Sequence, residues 1–205
     1  MKALLAACAL SLGLPVAAAD VPAAPAKIDL AKGQAIATQV CAACHAADGS
    51  RGSPANPIIA SQHPTYLEKQ LREFKSGQRN SPVMQGFAAA LSDADIRNVA
   101  AFYAGKQAKP GFAKNKDSVA MGERIWRGGI PDRQIAACAG CHSPSGAGIP
   151  AQYPRLAGQH ADYTEAQLVA FRQGARANSP MMVAVTAKMN DREIKAVSDF
   201  IAGLR

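Results

Sequence analysis

The chain contains two copies of a Cys-x-x-Cys-His pentapeptide, at residues 41–45 and 138–142, one in each half of its 205 residues. This spacing is the attachment signature of c-type haem. Two thiols add across the two vinyl groups of one porphyrin, and the adjacent histidine supplies an imidazole to the iron. The sequence therefore predicts two covalently attached haems c, bound through Cys41, Cys44, Cys138 and Cys141, with the irons ligated by His45 and His142.

Paired cysteines also occur in zinc sites and in redox-active dithiols. A structural zinc site needs four protein ligands, and each half of the chain offers two motif cysteines and few further candidates. A thioredoxin-like dithiol is expected near a βαβ pattern, and no such pattern is visible here. Haem attachment is therefore the favoured interpretation of both motifs.

Residues 1–19 have the composition of a secretory signal. Lys2 gives a basic start, residues 3–14 are mostly apolar, and a final Ala-x-Ala site predicts cleavage after Ala19 and export to the periplasm. The apolar run is too short to cross a bilayer. Residues 5–8 also resemble a lipoprotein box that would leave a lipid anchor on Cys8. Because that alternative leaves almost no apolar core for export, we expect Cys8 to be removed with the signal.

The mature chain is basic. Removing Lys2 from the 23 basic residues leaves 22 against 15 acidic residues, a formal charge of +7. Such a surface attracts acidic partner proteins or anionic membrane surfaces. Nucleic acid is not expected as a partner, because the protein is exported and its basic residues are scattered. A lysine-rich segment is either a docking patch or a solvated linker, and its members are Lys106, Lys109, Lys114 and Lys116.

The second half of the chain repeats the first at an offset of 97 residues, which becomes 98 after one inserted residue. Besides the haem motifs, the matched pairs include Gln62 and Gln159, His63 and His160, Tyr66 and Tyr163, Gln70 and Gln167, Arg79 and Arg176, and Met84 and Met182. A module of roughly 80–90 residues is longer than the repeats of solenoid proteins. We predict a signal at 1–19, a first domain at 20–107, a linker at 108–117 and a second domain at 118–205.

Each module is predicted to be all-α. Apolar residues at helical spacing predict helices at 30–40 and 64–75 in the first module. The last helix begins with a capping-box pattern at Ser92, and Asn190 is its expected counterpart. The second module should begin with a helix near 118–126, followed by an insertion at 127–134. Since a module this small buries little apolar area, the haem is expected to complete each core.

Methionine is the candidate for the sixth iron ligand in each module. Met84 lies 39 residues after His45 and Met182 lies 40 after His142, each just beyond an Asn-Ser-Pro loop. A thioether is a soft ligand that favours reduced iron and raises its potential. One methionine is more often core packing, but two at equivalent repeat positions favour ligation. Both are predicted to lie in loops that bring the thioether over the haem face opposite the histidine. Two nearby methionines have no methionine counterpart in the repeat: Met181 and Met189.

A competing pair of ligands is His63 and His160, each 18 residues after its proximal histidine. Bis-histidine haems would have much lower potentials than His–Met haems. Each of these histidines begins a predicted helix beside a glutamine, which favours a position near the propionates or on the surface. Pro57 and Pro154 each lie 12 residues after the proximal histidine. A carbonyl there is expected to accept the remaining N–H of the imidazole and orient the ring.

Four features resemble the dihaem cytochromes c4: the haem motifs, the Ala60-Ser-Gln-His block, the Ser81-Pro-Val-Met84 segment and the helix start at 91–96, each with a second-half equivalent. The resemblance covers essentially all of the mature chain. It implies two tandem class I cytochrome c domains, each wrapped around one covalent haem, with His45 and Met84 on one iron and His142 and Met182 on the other. It also implies a periplasmic carrier between a quinol-oxidising complex or dehydrogenase and a terminal oxidase.

An electron carrier, and not an enzyme, is therefore the expected function, because filled axial positions keep substrates from the iron. We expect a monomer, either free or associated with a membrane surface. Two alternatives stay open. Similar dihaem modules serve as electron-transfer subunits of periplasmic sulfide and quinoprotein dehydrogenases. A dihaem peroxidase or a thiosulfate-oxidising enzyme would need an open or unusual coordination site, and the matched methionines argue against one.

Overall fold

The computed structural model describes residues 27–205. The predicted signal segment, its cleavage site after Ala19 and Cys8 lie outside the described residues. The first module contains α1 (Leu30–Ile36), a π-helical turn (Ala37–Cys41), α2 (Ala42–His45), α3 (Pro64–Ser76), α4 (Pro82–Ala89) and α5 (Asp93–Ala104). The second contains α6 (Lys116–Gly128), a 3₁₀ turn (Pro131–Arg133), α7 (Cys138–His142), α8 (Ala161–Arg172), α9 (Pro180–Thr186) and α10 (Asp191–Gly203).

The prediction of an all-α fold is confirmed. Between residues 27 and 205 no strand forms, and the β-structure there consists of isolated bridges from Ile130 to Ile135 and from Ile149 to Tyr153. Both predicted caps are present, since Ser92 and Asn190 each form a complete capping box at the start of α5 and α10. None of the helices in the described part of the chain is long and apolar enough to cross a membrane.

The first and last helices of each module cross at a glycine. A Cβ added to Gly33 of α1 would lie 2.3 Å from the carbonyl oxygen of Asn98 in α5. A Cβ added to Gly122 of α6 would lie 2.2 Å from the carbonyl oxygen of Ala196 in α10. Only glycine permits so close an approach of two helix backbones. The same helix crossing therefore anchors the core of both modules.

The two modules reach their haem motifs differently. In the first, helix continues from Leu30 through the π-helical turn to His45, beyond the predicted end at residue 40. In the second, residues 129–137 leave the helix and form a tight loop, closed by two backbone hydrogen bonds between Ile130 and Ile135 at 2.9 and 3.1 Å. The insertion predicted at 127–134 is the source of this loop.

Met84 and Met182 lie in the first turns of helices, so the sequence prediction that placed them in loops was wrong. Ser81 and Ser179 are the N-caps of α4 and α9, and each side chain accepts a hydrogen bond from the methionine N–H at 3.4 Å. A proline follows each serine at the first helical position. Serine at the cap and proline just after it are strong helix-start signals. Each methionine is consequently presented from a capped helix start.

The segment between the modules is tied to both of them. Ser61 of the first module bonds the segment twice, to the carbonyl of Lys106 at 2.6 Å and to the N–H of Ala108 at 3.0 Å. The carboxylate of Asp199 in α10 accepts from the N–H groups of Lys114 and Asn115 at 2.8 and 3.0 Å. The connecting segment is therefore held in place by hydrogen bonds to both modules, although its polar composition is that of a linker. The domain boundaries themselves stay a prediction.

Candidate haem sites

A cavity of about 740 Å³ is lined by residues of both modules, and both Cys-x-x-Cys-His motifs face it. Its walls bring together all eight side chains that the sequence predicts to bind haem or iron: Cys41, Cys44, His45, Met84, Cys138, Cys141, His142 and Met182. Apolar side chains from the helices fill much of the remaining wall, including Leu67, Phe74, Leu168 and Phe171.

Both proximal histidines are oriented by a proline carbonyl, as predicted. The Nδ1 atom of His45 lies 3.0 Å from the oxygen of Pro57, and Nδ1 of His142 lies 3.0 Å from the oxygen of Pro154. A donating Nδ1–H leaves Nε2 as the nitrogen able to bind a metal. Burial lowers the pKa of both imidazoles below the usual value, although the proline carbonyls oppose this shift. Both rings are therefore favoured in the neutral, metal-binding form.

One cysteine of each motif has a thiol whose pKa is raised, which is the opposite of what a reactive dithiol requires. Burial raises the pKa of Cys41 and raises that of Cys138 to about 11. Redox-active Cys-x-x-Cys motifs lower the thiol pKa instead. Nowhere between residues 27 and 205 do three His, Cys, Asp or Glu side chains meet as a metal site. The geometry therefore disfavours both alternatives to haem attachment.

The alternative histidine ligands lie away from the cavity, and neither contributes to its wall. His63 and His160 stand at the N-caps of α3 and α8. The Nε2 atom of His63 lies 3.0 Å from the carbonyl oxygen of Ala147 in the other module. His160 is buried, and its Nε2 finds no hydrogen-bond partner among the described residues. Both histidines therefore lie near the contact between the two modules.

Two glutamines hold the modules together by a reciprocal contact that the sequence alone did not reveal. Gln62 donates to the carbonyl of Arg155 and accepts from the Arg155 N–H, both at 2.9 Å. Gln159 makes the same pair of bonds to Ile58 at 2.9 and 2.8 Å. Each amide thus pairs with the backbone of the opposite module as a neighbouring strand would. The repeat matched these glutamines, but no local pattern names a partner 93 or 101 residues away.

A buried polar cluster from both modules forms part of the cavity wall. Arg79 donates to Tyr163 and Gln167 of the second module, each at 2.9 Å. Arg176 donates to Tyr66 and Gln70 of the first at 3.2 and 3.3 Å. Burial alone would raise the pKa of the Tyr163 hydroxyl, but the two guanidinium groups lower it overall. This part of the wall is therefore cationic and suits negatively charged groups of a cofactor.

The residue after each proximal histidine has a strained backbone. Ala46 has φ 62° and ψ 157°, and Ser143 has φ 67° and ψ 154°. This region of backbone space is essentially restricted to glycine. The same strain in both modules marks the point where the chain turns sharply away from the haem motif.

We expect Ala46→Gly to raise the free energy of unfolding by about 1 kcal/mol. The substitution releases roughly 1–3 kcal/mol of backbone strain and costs roughly 0.5–1 kcal/mol in chain entropy. Chemical denaturation of the haem-loaded protein measures the difference. Ala43→Gly, in the helical part of the same motif, is the matched control and should lower stability. A loss of stability in Ala46→Gly would contradict the strained conformation.

These residues fit c-type haem. Each motif contributes two thiols and a neutral imidazole to the lining of the cavity, and each module adds a thioether. The surrounding side chains are largely apolar, with one cationic region. A covalent macrocycle needs that combination of attachment, ligation and burial.

Comparison with known proteins agrees with this fit. The model of the cytochrome c family matches residues 133–205, and that of cbb3-type cytochrome c oxidase subunit III matches residues 28–102. Cytochrome c4 of Pseudomonas aeruginosa is 43% identical over 180 residues, covering 86% of this chain and 89% of the relative. A thiosulfate dehydrogenase electron acceptor of Stutzerimonas stutzeri is 40% identical, covering 82% of this chain and 80% of the relative.

The fold comparison gives the same answer. The crystal structure of reduced recombinant cytochrome c4 from Pseudomonas stutzeri superimposes with a TM-score of 0.83 at 38% identity, covering 87% of this chain and all of that one. Two family matches, one in each module, correspond to two cytochrome c domains and two covalently bound haems c. The chain therefore belongs to the dihaem cytochrome c4 family, whose tandem cytochrome c domains transfer electrons.

Proposed function

We propose that the protein is a periplasmic electron carrier in which His45 and Met84 ligate one haem iron and His142 and Met182 ligate the other. The observation that supports the proposal is that both histidine–methionine pairs, which occupy equivalent positions in the repeat, line the same cavity. Each histidine is oriented by a proline carbonyl, and each methionine lies in the first turn of a serine-capped helix. The haem supplies one-electron redox chemistry, which the protein tunes through axial ligands and burial.

The protein's own residues then have a limited set of tasks. Four cysteines would attach the two haems, two imidazoles and two thioethers would ligate their irons, and the apolar lining of the cavity would keep water away. Substrates cannot reach an iron whose axial positions are filled. Electron exchange at a haem edge is then the remaining reaction, and the chain acts as a carrier and not as an enzyme.

The partners follow from charge and compartment. The predicted signal at 1–19 supports export to the periplasm, and the mature charge of +7 favours acidic partner surfaces. We propose that electrons arrive from a quinol-oxidising complex or a dehydrogenase and leave to a terminal oxidase. The proposed domains at 20–107 and 118–205, joined by 108–117, each carry one haem.

The absorption spectrum of the oxidised protein tests this ligation. We expect both haems to be low-spin and the long-wavelength charge-transfer band of thioether-ligated ferric haem to appear at two-haem intensity. Haem content, measured by the pyridine haemochrome method, normalises the band. A high-spin ferric haem in the untouched protein would contradict the proposal and would support a catalytic role.

A second candidate is the dedicated electron acceptor of a sulfur-compound dehydrogenase. It is favoured by the 40%-identical relative named for that role in thiosulfate oxidation. Stopped-flow reduction by a thiosulfate dehydrogenase and by a quinol-oxidising complex separates the candidates. Fast reduction by the dehydrogenase, together with copurification, would support the acceptor role, and fast exchange with the quinol complex and an oxidase would support the respiratory carrier.

A further inference from the structure

An ion pair of the first module, formed by the exposed Lys69 and the buried Glu73, contacts the methionine segment of the second. Glu73 of α3 is only 8% exposed, and its Oε2 accepts a hydrogen bond from Nδ2 of Asn178 at 2.6 Å. Lys69, one turn earlier, pairs with the Glu73 carboxylate and also donates to the Asn178 carbonyl at 3.3 Å. Two charged side chains of one module thus bind a single residue of the other.

The contacted residue lies directly before the start of α9. Asn178 immediately precedes the cap Ser179 and lies four residues before Met182. Its Oδ1 accepts from Nε of Arg176 at 3.0 Å, and its Nδ2 also donates to Gln70 at 3.0 Å. With its side chain and carbonyl both bonded, Asn178 has little freedom to move. Any displacement of Met182 away from the cavity must pull against these bonds.

The two modules differ at the positions of Lys69 and Glu73. At the offset of 97 residues, Lys69 and Glu73 correspond to Ala166 and Ala170, whose methyl groups cannot form hydrogen bonds. Asn80, which corresponds to Asn178, is exposed. The start of α4, with Met84, therefore has no equivalent of the ion pair from the opposite module.

A second difference between the modules lies within α9 itself. The fully buried Thr186 donates from Oγ1 to the Met182 carbonyl at 2.8 Å. The equivalent residue of the first module is Ala88, which has no hydroxyl. This bond lies within α9 and does not attach the helix to the rest of its module, so the contact from the other module to Asn178 remains the one that holds the start of α9.

We propose that Lys69 and Glu73 are positioning residues, a clamp on Asn178 that holds Met182 more firmly over its haem than Met84 is held over the other. The inference rests on the proposed ligation by the two methionines. With this clamp, the two haem sites differ in the rate at which the methionine leaves the iron, although the sequence around them is repeated. The first-module iron is then the one that exchanges its thioether more readily.

Cyanide displacement of the thioethers in the oxidised, haem-loaded protein tests the clamp. We expect two kinetic phases, assigned by following the methionine methyl resonances with Met84→Ala and Met182→Ala as references. The fast phase should belong to the Met84 haem. Removing a hydrogen bond to a charged group typically has an effect of about tenfold or more, so Glu73→Ala should accelerate the Met182 phase about tenfold and leave the Met84 phase unchanged.

Three further variants sharpen the test. Glu73→Gln keeps an acceptor for Asn178 and should restore most of the slow phase. Glu68→Ala, which removes a partly exposed carboxylate on the same helix that pairs with Arg72, is the matched control and should change neither phase. The double variant Ala166→Lys with Ala170→Glu places the ion pair opposite Asn80 and should slow the Met84 phase.

Two results would overturn the clamp: equal acceleration of both phases in Glu73→Ala, or no acceleration of either. Failure of the underlying ligation has a different signature, because Met182→Ala would then keep the charge-transfer band and the cyanide kinetics of the unaltered protein. The two hypotheses are therefore separated by different variants measured in the same assay.

Discussion

Met84→Ala and Met182→Ala should each open one haem and leave the other closed. Loss of the thioether removes the ligand that favours reduced iron, so the potential of that haem should fall by roughly 0.1–0.3 V, part of the roughly 0.8 V range that axial ligands span. Each variant should lose half of the thioether charge-transfer band and bind one equivalent of carbon monoxide when reduced. Potentiometric titration and carbon monoxide difference spectra measure both effects.

The neighbouring methionine provides the control for this prediction. Met181 is 55% exposed and stands next to Met182 on α9. Met181→Ala should therefore leave both potentials and the full band in place. If Met181→Ala, and not Met182→Ala, removed half of the band, the ligand assignment in the second module would be wrong.

Gln159→Leu should strongly weaken the contact between the modules. The substitution leaves the buried N–H and C=O of Ile58 without their partners at 2.8 and 2.9 Å. Each unsatisfied buried group costs about 1–3 kcal/mol, so we expect a loss of about 2–6 kcal/mol in the free energy of unfolding. Gln62→Leu should have a similar effect through Arg155. Guanidinium chloride denaturation, followed by helical circular dichroism and haem absorbance, measures it.

The form of the unfolding curve carries further information. With the reciprocal contact intact, the two modules should unfold together, and in Gln159→Leu they should separate into two transitions. Gln173→Leu, at an exposed position just after α8, is the control and should unfold like the unaltered protein. A loss below 1 kcal/mol in Gln159→Leu would mean that the glutamine contact contributes little to docking.

Local chemistry made much of this structure predictable. The haem motifs predict the thiols and the histidines that line the cavity. The capping-box patterns at Ser92 and Asn190 predict two helix starts that the structure contains. The spacing to Pro57 and Pro154 predicts the carbonyls that orient the imidazoles. In each case the information lies within a few residues or repeats at a fixed spacing. Such signals predict structure well because they depend on backbone geometry over a short stretch of chain.

The error over the methionines has a local cause. Ser-Pro was interpreted as a loop signal, whereas serine as N-cap and proline at the first helical position begin α4 and α9. Proline restricts the helix interior but is well tolerated in the first turn. The consequence is that each thioether is placed by a rigid helix start.

Contacts between the modules were not predictable in the same way. The repeat matched Gln62 with Gln159 and Arg79 with Arg176 but did not state what they bind, because their partners lie in the opposite module. The Asp199 contacts that order the connecting segment are likewise formed 84 and 85 residues apart. These contacts depend on how distant parts of the chain pack against each other, and no single segment of sequence contains that information.

Exposure of the reduced, unaltered protein to carbon monoxide at neutral pH tests the central claim most directly, because carbon monoxide binds ferrous haem wherever an axial position is open. If His45 with Met84 and His142 with Met182 close both irons, the absorption spectrum should stay unchanged at both haems. Prompt formation of a carbon monoxide adduct at either haem, without prior unfolding, would contradict the account of a closed electron carrier.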